Sequence, residues 1–267
     1  MFEWFPWPPG PKGRSIPLSV PRKVVCDLLH FASRVPTVPV QRVIDVSALV
    51  AARKEATPRV SWPAIFTKAY SLLCLQSPEF RRAYIEYPWA RLYEHPHSIA
   101  SIAIEREYKG ESGVFFAYFP QPDLMTLPAL DTAINRQRTE PVEELFAYTF
   151  WIYRMPRFLR RLLWWYMINV RGARKTEFIG TFGLSVYSSL GAESLHPLSP
   201  LTSTLNYGVI GNDGKVTARI IYDHRVMDGS TVARALIRLE EILNSDILRE
   251  LKGMAPSVPE QPAREAA

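Results

Sequence analysis

The sequence predicts a layered α/β domain, and three observations predict it. Of its 267 residues, 47% are hydrophobic and 22% charged, enough apolar material for a full-sized core without metal or disulfide support. Apolar positions recur at helical spacing in some segments and form short β-branched or alternating runs in others. The two kinds of segment are interspersed along the chain, which fits a sheet covered by helices better than a bundle. One domain is the expectation at this length.

Residues 1–17 (MFEWFPWPPGPKGRSIP) hold too many prolines for a helix or central strand, and read as an extended arm whose aromatics pack on a neighbouring surface. Pro21 suits a first helical turn, and the helix predicted from Arg22 to Ser33 sets Val24, Val25, Leu28, Leu29 and Phe31 largely along one side. A strand is predicted over Val38–Val46. Ser47 then serves as N-cap for a short helix, Ala48–Glu55. A strongly apolar helix over Trp62–Gln76 stops at Ser77-Pro78, and strands follow at Ser98–Arg106 and Gly113–Phe119. Leu127–Asn135 begins another helix. After a long aromatic and basic stretch come strands at Phe178–Tyr187, Ser203–Ile210 and Lys215–Tyr222, the last two joined as a hairpin through Gly211-Asn212-Asp213-Gly214. A final helix, Ser230–Leu243, leads into a tail rich in Pro, Glu and Ala.

Composition narrows the function. Cys26 and Cys74 lie in apolar helical stretches without CxxC spacing, and read as buried thiols of a reducing compartment. Met1–Arg14 lacks the apolar run of a signal peptide, so the expected location is cytoplasmic. A net charge of +6 comes with no zinc-finger spacing or basic repeat, so no nucleic-acid partner is expected. The same charge suits an anionic substrate or an anionic lipid surface at the inner face of a membrane. No metal is expected, since His95-x-His97 alone is poor evidence for one.

The sharpest local signal is Asp223-His224-Arg225-Val226-Met227-Asp228-Gly229, between a β-branched strand and a helix. A histidine there is held by rigid backbone yet can reach a cleft, as a general base near neutral pH must. Asp228 falls at the turn into the helix, where its carboxylate can bond local backbone and anchor a basic partner. Gly229 allows a turn conformation costly to other residues.

HRVMDG resembles the HxxxDG signature of the chloramphenicol acetyltransferase and dihydrolipoamide acyltransferase superfamily. The longer YDHRVMDGSTVARALIRLEEIL is similar to the end of the catalytic domain of 2-oxo acid dehydrogenase acyltransferase subunits. Upstream, RKVVCDLLHFASRVPTVPVQRVIDVSALVAARKE, SWPAIFTKAYSLLCLQSPEFRRAY and GVFFAYFPQPDLMTLPAL resemble successive elements of that domain, so the likeness runs from about Pro17 to Leu248. It implies an α/β fold, a two-layer sandwich of mixed sheet and helices. The expected organisation is an arm over 1–17, an acyltransferase domain over 18–248 with an insertion at 146–175, and a flexible tail over 249–267.

The resemblance also implies a chemistry: an acyl group passes from a thioester, of coenzyme A or an acyl carrier protein, to a thiol, hydroxyl or amine. His224 would take the acceptor's proton, and a serine would hydrogen-bond the oxyanion. The family pattern Phe-x-x-Ser, then Gly and later Pro, falls on Phe182, Ser185, Gly191, Leu195 and Pro197, which points to Ser185. Ser188 competes, because Ser188-Ser189-Leu190-Gly191 echoes the family's Ser-x-Leu-Gly. Asp228 would be held by an arginine, with Arg22 resembling the family's N-terminal basic position and Arg225 near in sequence. A homotrimer or trimer-based assembly is implied, His224 from one chain meeting Ser185 of the next. The rival expectation is a non-catalytic trimeric scaffold of the same fold. About twenty residues precede the likeness and no lipoyl-lysine hairpin is visible, so a stand-alone enzyme is expected rather than a subunit of a 2-oxo acid dehydrogenase complex.

Phe146–Lys175 (FAYTFWIYRMPRFLRRLLWWYMINVRGARK) takes the place of a shorter connection in the family. Its apolar run Leu162–Ile168 is too short to span a bilayer. Three readings fit: a helix at a membrane interface, the wall of an acyl-chain channel, or a packing surface. In the first two, Trp164 and Trp165 make the acyl or lipid contact.

Overall fold

In the computed structural model the described residues are 13–186 and 191–255. A mixed sheet of six strands runs in the order β1-β8-β7-β6-β4-β5. The strands are β1 (Thr37–Asp45), β4 (Ile99–Tyr108), β5 (Glu111–Pro120), β6 (Phe182–Leu184), β7 (Ser203–Tyr207) and β8 (Lys215–Asp223). β2 (Arg82–Ile85) and β3 (Arg91–Glu94) form a separate antiparallel pair that the sequence reading missed. β6 runs parallel to both β4 and β7, and the remaining pairs of the large sheet are antiparallel.

One face of the sheet is packed by α2 (Ser47–Glu55), α3 (Trp62–Gln76), α4 (Leu127–Thr139), α9 (Gly229–Ile242) and α10 (Leu248–Gly253), whose apolar residues merge into one core. Ile102, Phe182, Leu205 and Ile220, from four neighbouring strands, all point into it. This is the two-layer sandwich expected. At the β4–β5 end the opposite face is also covered, by α1 (Val20–Ala32), α7 (Arg157–Asn169) and α8 (Gly172–Ile179). Phe31 and Trp164 pack there with Ile179, and Val24 with Phe116. Two short helices, α5 (Val142–Leu145) and α6 (Ala147–Ile152), precede α7.

Several boundaries differ from the sequence reading for local reasons. The strand expected over 178–187 is helical through Ile179, where Gly180 (φ +90°) ends α8, and among its described residues only Phe182–Leu184 pair as strand. Ser47 is the first residue of α2 rather than its cap; Asp45 supplies the acceptor, taking the Ser47 amide at 2.8 Å. Those bonds from Ser47 hold the Asp45 carboxyl below the usual carboxylate range. Past α9 the chain continues through a π-helical turn, Leu243–Ile247, into α10, where Leu251 is fully buried. The packed body therefore extends beyond residue 248 into the expected tail. Cys74 is buried as expected, but Cys26 is exposed on α1. Among the described residues no helix is long and apolar enough to cross a membrane.

Candidate active site

β8 delivers His224. Its last residue, Asp223, pairs with Thr37 of β1 and donates its amide to Thr202 O at 2.9 Å; the His224 amide donates to Pro36 O at 3.1 Å. The backbone is thus fixed from both sides while the imidazole stays half exposed, its Nδ1 3.7 Å from Asp228 Oδ1. Val226 and Met227 turn into the core, and Asp228 opens α9, its carbonyl accepting from the amides of Thr231 and Val232. A neutral imidazole so placed can take a proton from a group arriving from outside the chain.

Asp223, buried, holds this turn in shape. Its carboxylate accepts the Arg225 amide at 3.0 Å, Arg225 Nε at 2.9 Å and Nη2 at 2.7 Å, and the Arg225 guanidinium lies 4.3 Å over the Tyr84 ring. Lys175 is buried nearby and donates to Tyr84 O at 3.2 Å. Burial pulls its ammonium down to about 8, with the charge of Asp223 working against that shift. Asp223 was visible in the motif without a role, whereas Lys175 and Tyr84 were not foreseen here because both are distant from it in the chain.

Three expectations about this turn change: the Asp228 carboxylate makes no bond to the start of α9 and is exposed. Within one chain Arg22 lies away from Asp228, exposed on α1 at the β5 end of the sheet, and Arg225 is engaged by Asp223. Gly229 does not adopt a left-handed backbone; a Cβ there would sit 3.3 Å from the Tyr222 hydroxyl, so its role is to leave that ring room.

Ser185 lies at the other end of the sheet. Its amide donates to Leu205 O at 3.2 Å, and its carbonyl accepts from the buried Asn206 side chain. It lines a groove of about 970 Å³ together with Arg53, Trp62, Arg138 and Tyr207. By register Ser185 continues the line Leu184, Leu205, Ile220 one step further, beside Asn206 and Arg219. At about 3.3 Å per residue and about 4.8 Å per strand, the five residues and two strands between Ser185 and His224 amount to about 19 Å. Within one chain the two side chains do not meet. Ser188 lies outside the described residues.

The other histidines serve elsewhere. His95 is buried against the Thr176 hydroxyl. Burial, with the charges of Lys175, His97 and Arg81, holds its imidazole down to about 4. His196 bonds Thr37 Oγ1 at 2.8 Å. No cluster of three His, Cys, Asp or Glu side chains able to hold a metal is found among the described residues.

Trp164 does not face lipid. It is 6% exposed, stacked on Phe31 at 5.8 Å and edge-on to Phe178 at 4.9 Å, beside an apolar cavity of about 160 Å³. Trp165 is half-buried against Tyr87. The arginines at 160 and 161 also turn inward, to Asp27 of α1.

No family model matches this sequence, and no curated protein matches it. Solved structures do share its fold. The cubic core of a pyruvate dehydrogenase multienzyme complex superposes with a TM-score of 0.64 at 19% identity, covering 92% of this chain and 100% of that one. The dihydrolipoamide acetyltransferase of Azotobacter vinelandii matches at 0.64 and 18%, over 92% and 100%. A probable dihydrolipoamide acetyltransferase from Listeria monocytogenes matches at 0.61 and 16%, over 87% and 94%. The Azotobacter structure concerns a serine, a histidine and an asparagine, four positions after the histidine, in that enzyme's catalytic mechanism.

Proposed function

We propose that the chain is an acyltransferase whose active site is assembled between subunits. Its donor would be a thioester of coenzyme A or of an acyl carrier protein, and its acceptor a thiol, hydroxyl or amine. His224 from one subunit removes the acceptor's proton. The attacking atom adds to the thioester carbonyl, and Ser185 of the adjacent subunit donates a hydrogen bond to the oxyanion. Collapse expels the donor thiolate, which recovers the proton from the imidazolium, so no metal is required.

The observation that carries the reading is the isolation of His224. It is held on rigid backbone and left accessible, while the serine suited to the oxyanion sits beside a substrate-sized groove about 19 Å away in the same chain. A cyclic trimer would bring the two together. The four-residue step from His224 to Asp228 repeats the histidine-to-asparagine step of the Azotobacter enzyme, which supports the same part of the chain for the chemistry. The scaffold reading has no comparable observation behind it.

The test is complementation. His224→Ala and Ser185→Ala are each expected to be inactive with whichever acyl-coenzyme A or acyl-carrier donor the wild type turns over best in a mass-spectrometric screen. Mixed in equal amounts and allowed to exchange subunits, a quarter of the interfaces draw histidine and serine from the intact copies, so about 25% of wild-type activity returns. A monomeric active enzyme, or full activity in His224→Ala, would overturn the proposal.

A further inference from the structure

The 146–175 segment keeps an unburied face, and it is not the one its tryptophan pair marks. On α6 and α7, Tyr148, Trp151, Phe158, Leu159, Leu162 and Tyr166 are exposed by 41% to 70%. Phe158, Leu162 and Tyr166 follow one another at four-residue steps, a single stripe of α7, while Arg160, Trp164 and Ile168 form its buried stripe. On the preceding α6, Tyr148 and Trp151 are exposed as well, with their rings stacked at 5.9 Å.

Between α6 and α7 the exposed charge is basic, while Glu177 lies beside Tyr148 and is paired with Arg174. Arg154 and Arg157 lie at the connection between the two helices, exposed and without an ion-pair partner among the described residues. Burial lowers the His30 imidazole on neighbouring α1, and Arg161, Arg34 and Arg157 add to that against the opposing charge of Asp27. The sequence holds no acidic residue between Glu144 and Glu177.

We propose that this face docks on an anionic lipid surface. Trp151, Phe158 and Leu162 would enter the headgroup boundary, and Arg154 and Arg157 would lie at phosphate level. Aromatic and branched apolar side chains gain by leaving water at that depth, and arginine can bury its stem while its head stays among phosphates. A second copy meeting the same face by two-fold symmetry would set Arg154 and Arg157 against their own equivalents, whereas phosphates neutralise them. The inference does not depend on acyl transfer.

The experiment is flotation of the full chain with vesicles of phosphatidylcholine alone, or of phosphatidylcholine mixed equally with phosphatidylglycerol. The protein should float with the anionic vesicles only, and raising salt from about 0.05 to about 0.5 M should cut binding at least about tenfold. Arg154→Gln with Arg157→Gln should remove the salt-sensitive part. Trp151→Ser with Phe158→Ser and Leu162→Ser should lower partitioning at least about tenfold at an unchanged melting temperature, because all three side chains are exposed. Leu162→Gln alone, read in parallel, should give a smaller loss in the same direction and keeps the test decisive if the triple variant fails to fold. Absence of flotation by the wild type, or flotation insensitive to these changes, overturns the proposal. So does conversion of an oligomer to monomer by the triple variant, which would make the face a subunit contact.

Discussion

Removing the carboxylate of Asp27 should unfasten α7 from the body of the protein. Asp27 is 1% exposed on α1, where Arg160 donates to one of its oxygens and Arg161 Nε to the other at 3.3 Å. Arg160 is itself nearly buried, with its guanidinium 4.4 Å over the Tyr153 ring and one further bond, to Met155 O at 3.3 Å. In Asp27→Ala that charge stays in the interior with a carbonyl and a ring for company, and stripping one partner from a buried pair costs about 3–5 kcal/mol. Arg161 is more exposed and screened, so its share is at most about 1 kcal/mol. At roughly 2–4 °C per kcal/mol for a chain of this size, the melting temperature should fall by roughly 6–20 °C. Replacing both partners, Asp27→Leu with Arg160→Met, removes the stranded charge and should recover most of that loss. Calorimetry of the wild type, Asp27→Leu, Arg160→Met and the double variant closes the cycle, with Asp27→Ala measured beside it. A loss below about 1 kcal/mol in Asp27→Ala, or a double variant no more stable than it, would refute the argument that the pair is desolvated.

Three further outcomes follow from the packing. Trp164→Ala should cost about 3–5 kcal/mol, as befits a large buried aromatic between Phe31 and Phe178, whereas Trp151→Ser should change stability by less than about 0.5 kcal/mol; thermal denaturation separates the two. Gly214→Ala should cost roughly 1–3 kcal/mol in denaturant titration, because Gly214 has φ +76° and an added Cβ would lie 2.6 Å from Ser47 Cα. His95 is neutral in the fold down to about pH 4, while an unfolded histidine gains its proton near pH 6.5. Its unfolded form therefore binds more protons across that window, and stability should fall as pH drops from 6.5 towards 4. His95→Gln should flatten that slope; an unchanged slope would show that burial does not hold the imidazole neutral.

The candidate base and the elements that carry it were legible in the sequence because their signals are local. DHRVMDG sits between a β-branched run and a helical repeat, and the structure places it at the end of β8 and the start of α9. The Trp62–Gln76 helix and the hairpin into Lys215 were readable for the same reason: apolar periodicity and turn residues are written in contiguous positions. Other features fell outside such signals. β2 and β3 are only four residues each, and the strand after α8 is shorter still, too brief for a period to register.

The sequence by itself determined that residues 146–175 form amphipathic helical structure rich in arginine and aromatics. It did not determine which side faces water, because both stripes of α7 contain large apolar groups. Asp27, 133 residues before Arg160, decided that: one buried carboxylate draws Arg160 inward, carries Trp164 with it, and leaves Phe158, Leu162 and Tyr166 outside. The same holds around His224. Its position and the Asp223–Arg225 clasp join neighbours in the chain, but the seat of that clasp over Tyr84, the nearby Lys175, and the wide separation of Ser185 come from contacts between distant segments. Periodicity specifies that an element has a buried side, and only the partners folded against it choose the side chains that occupy it.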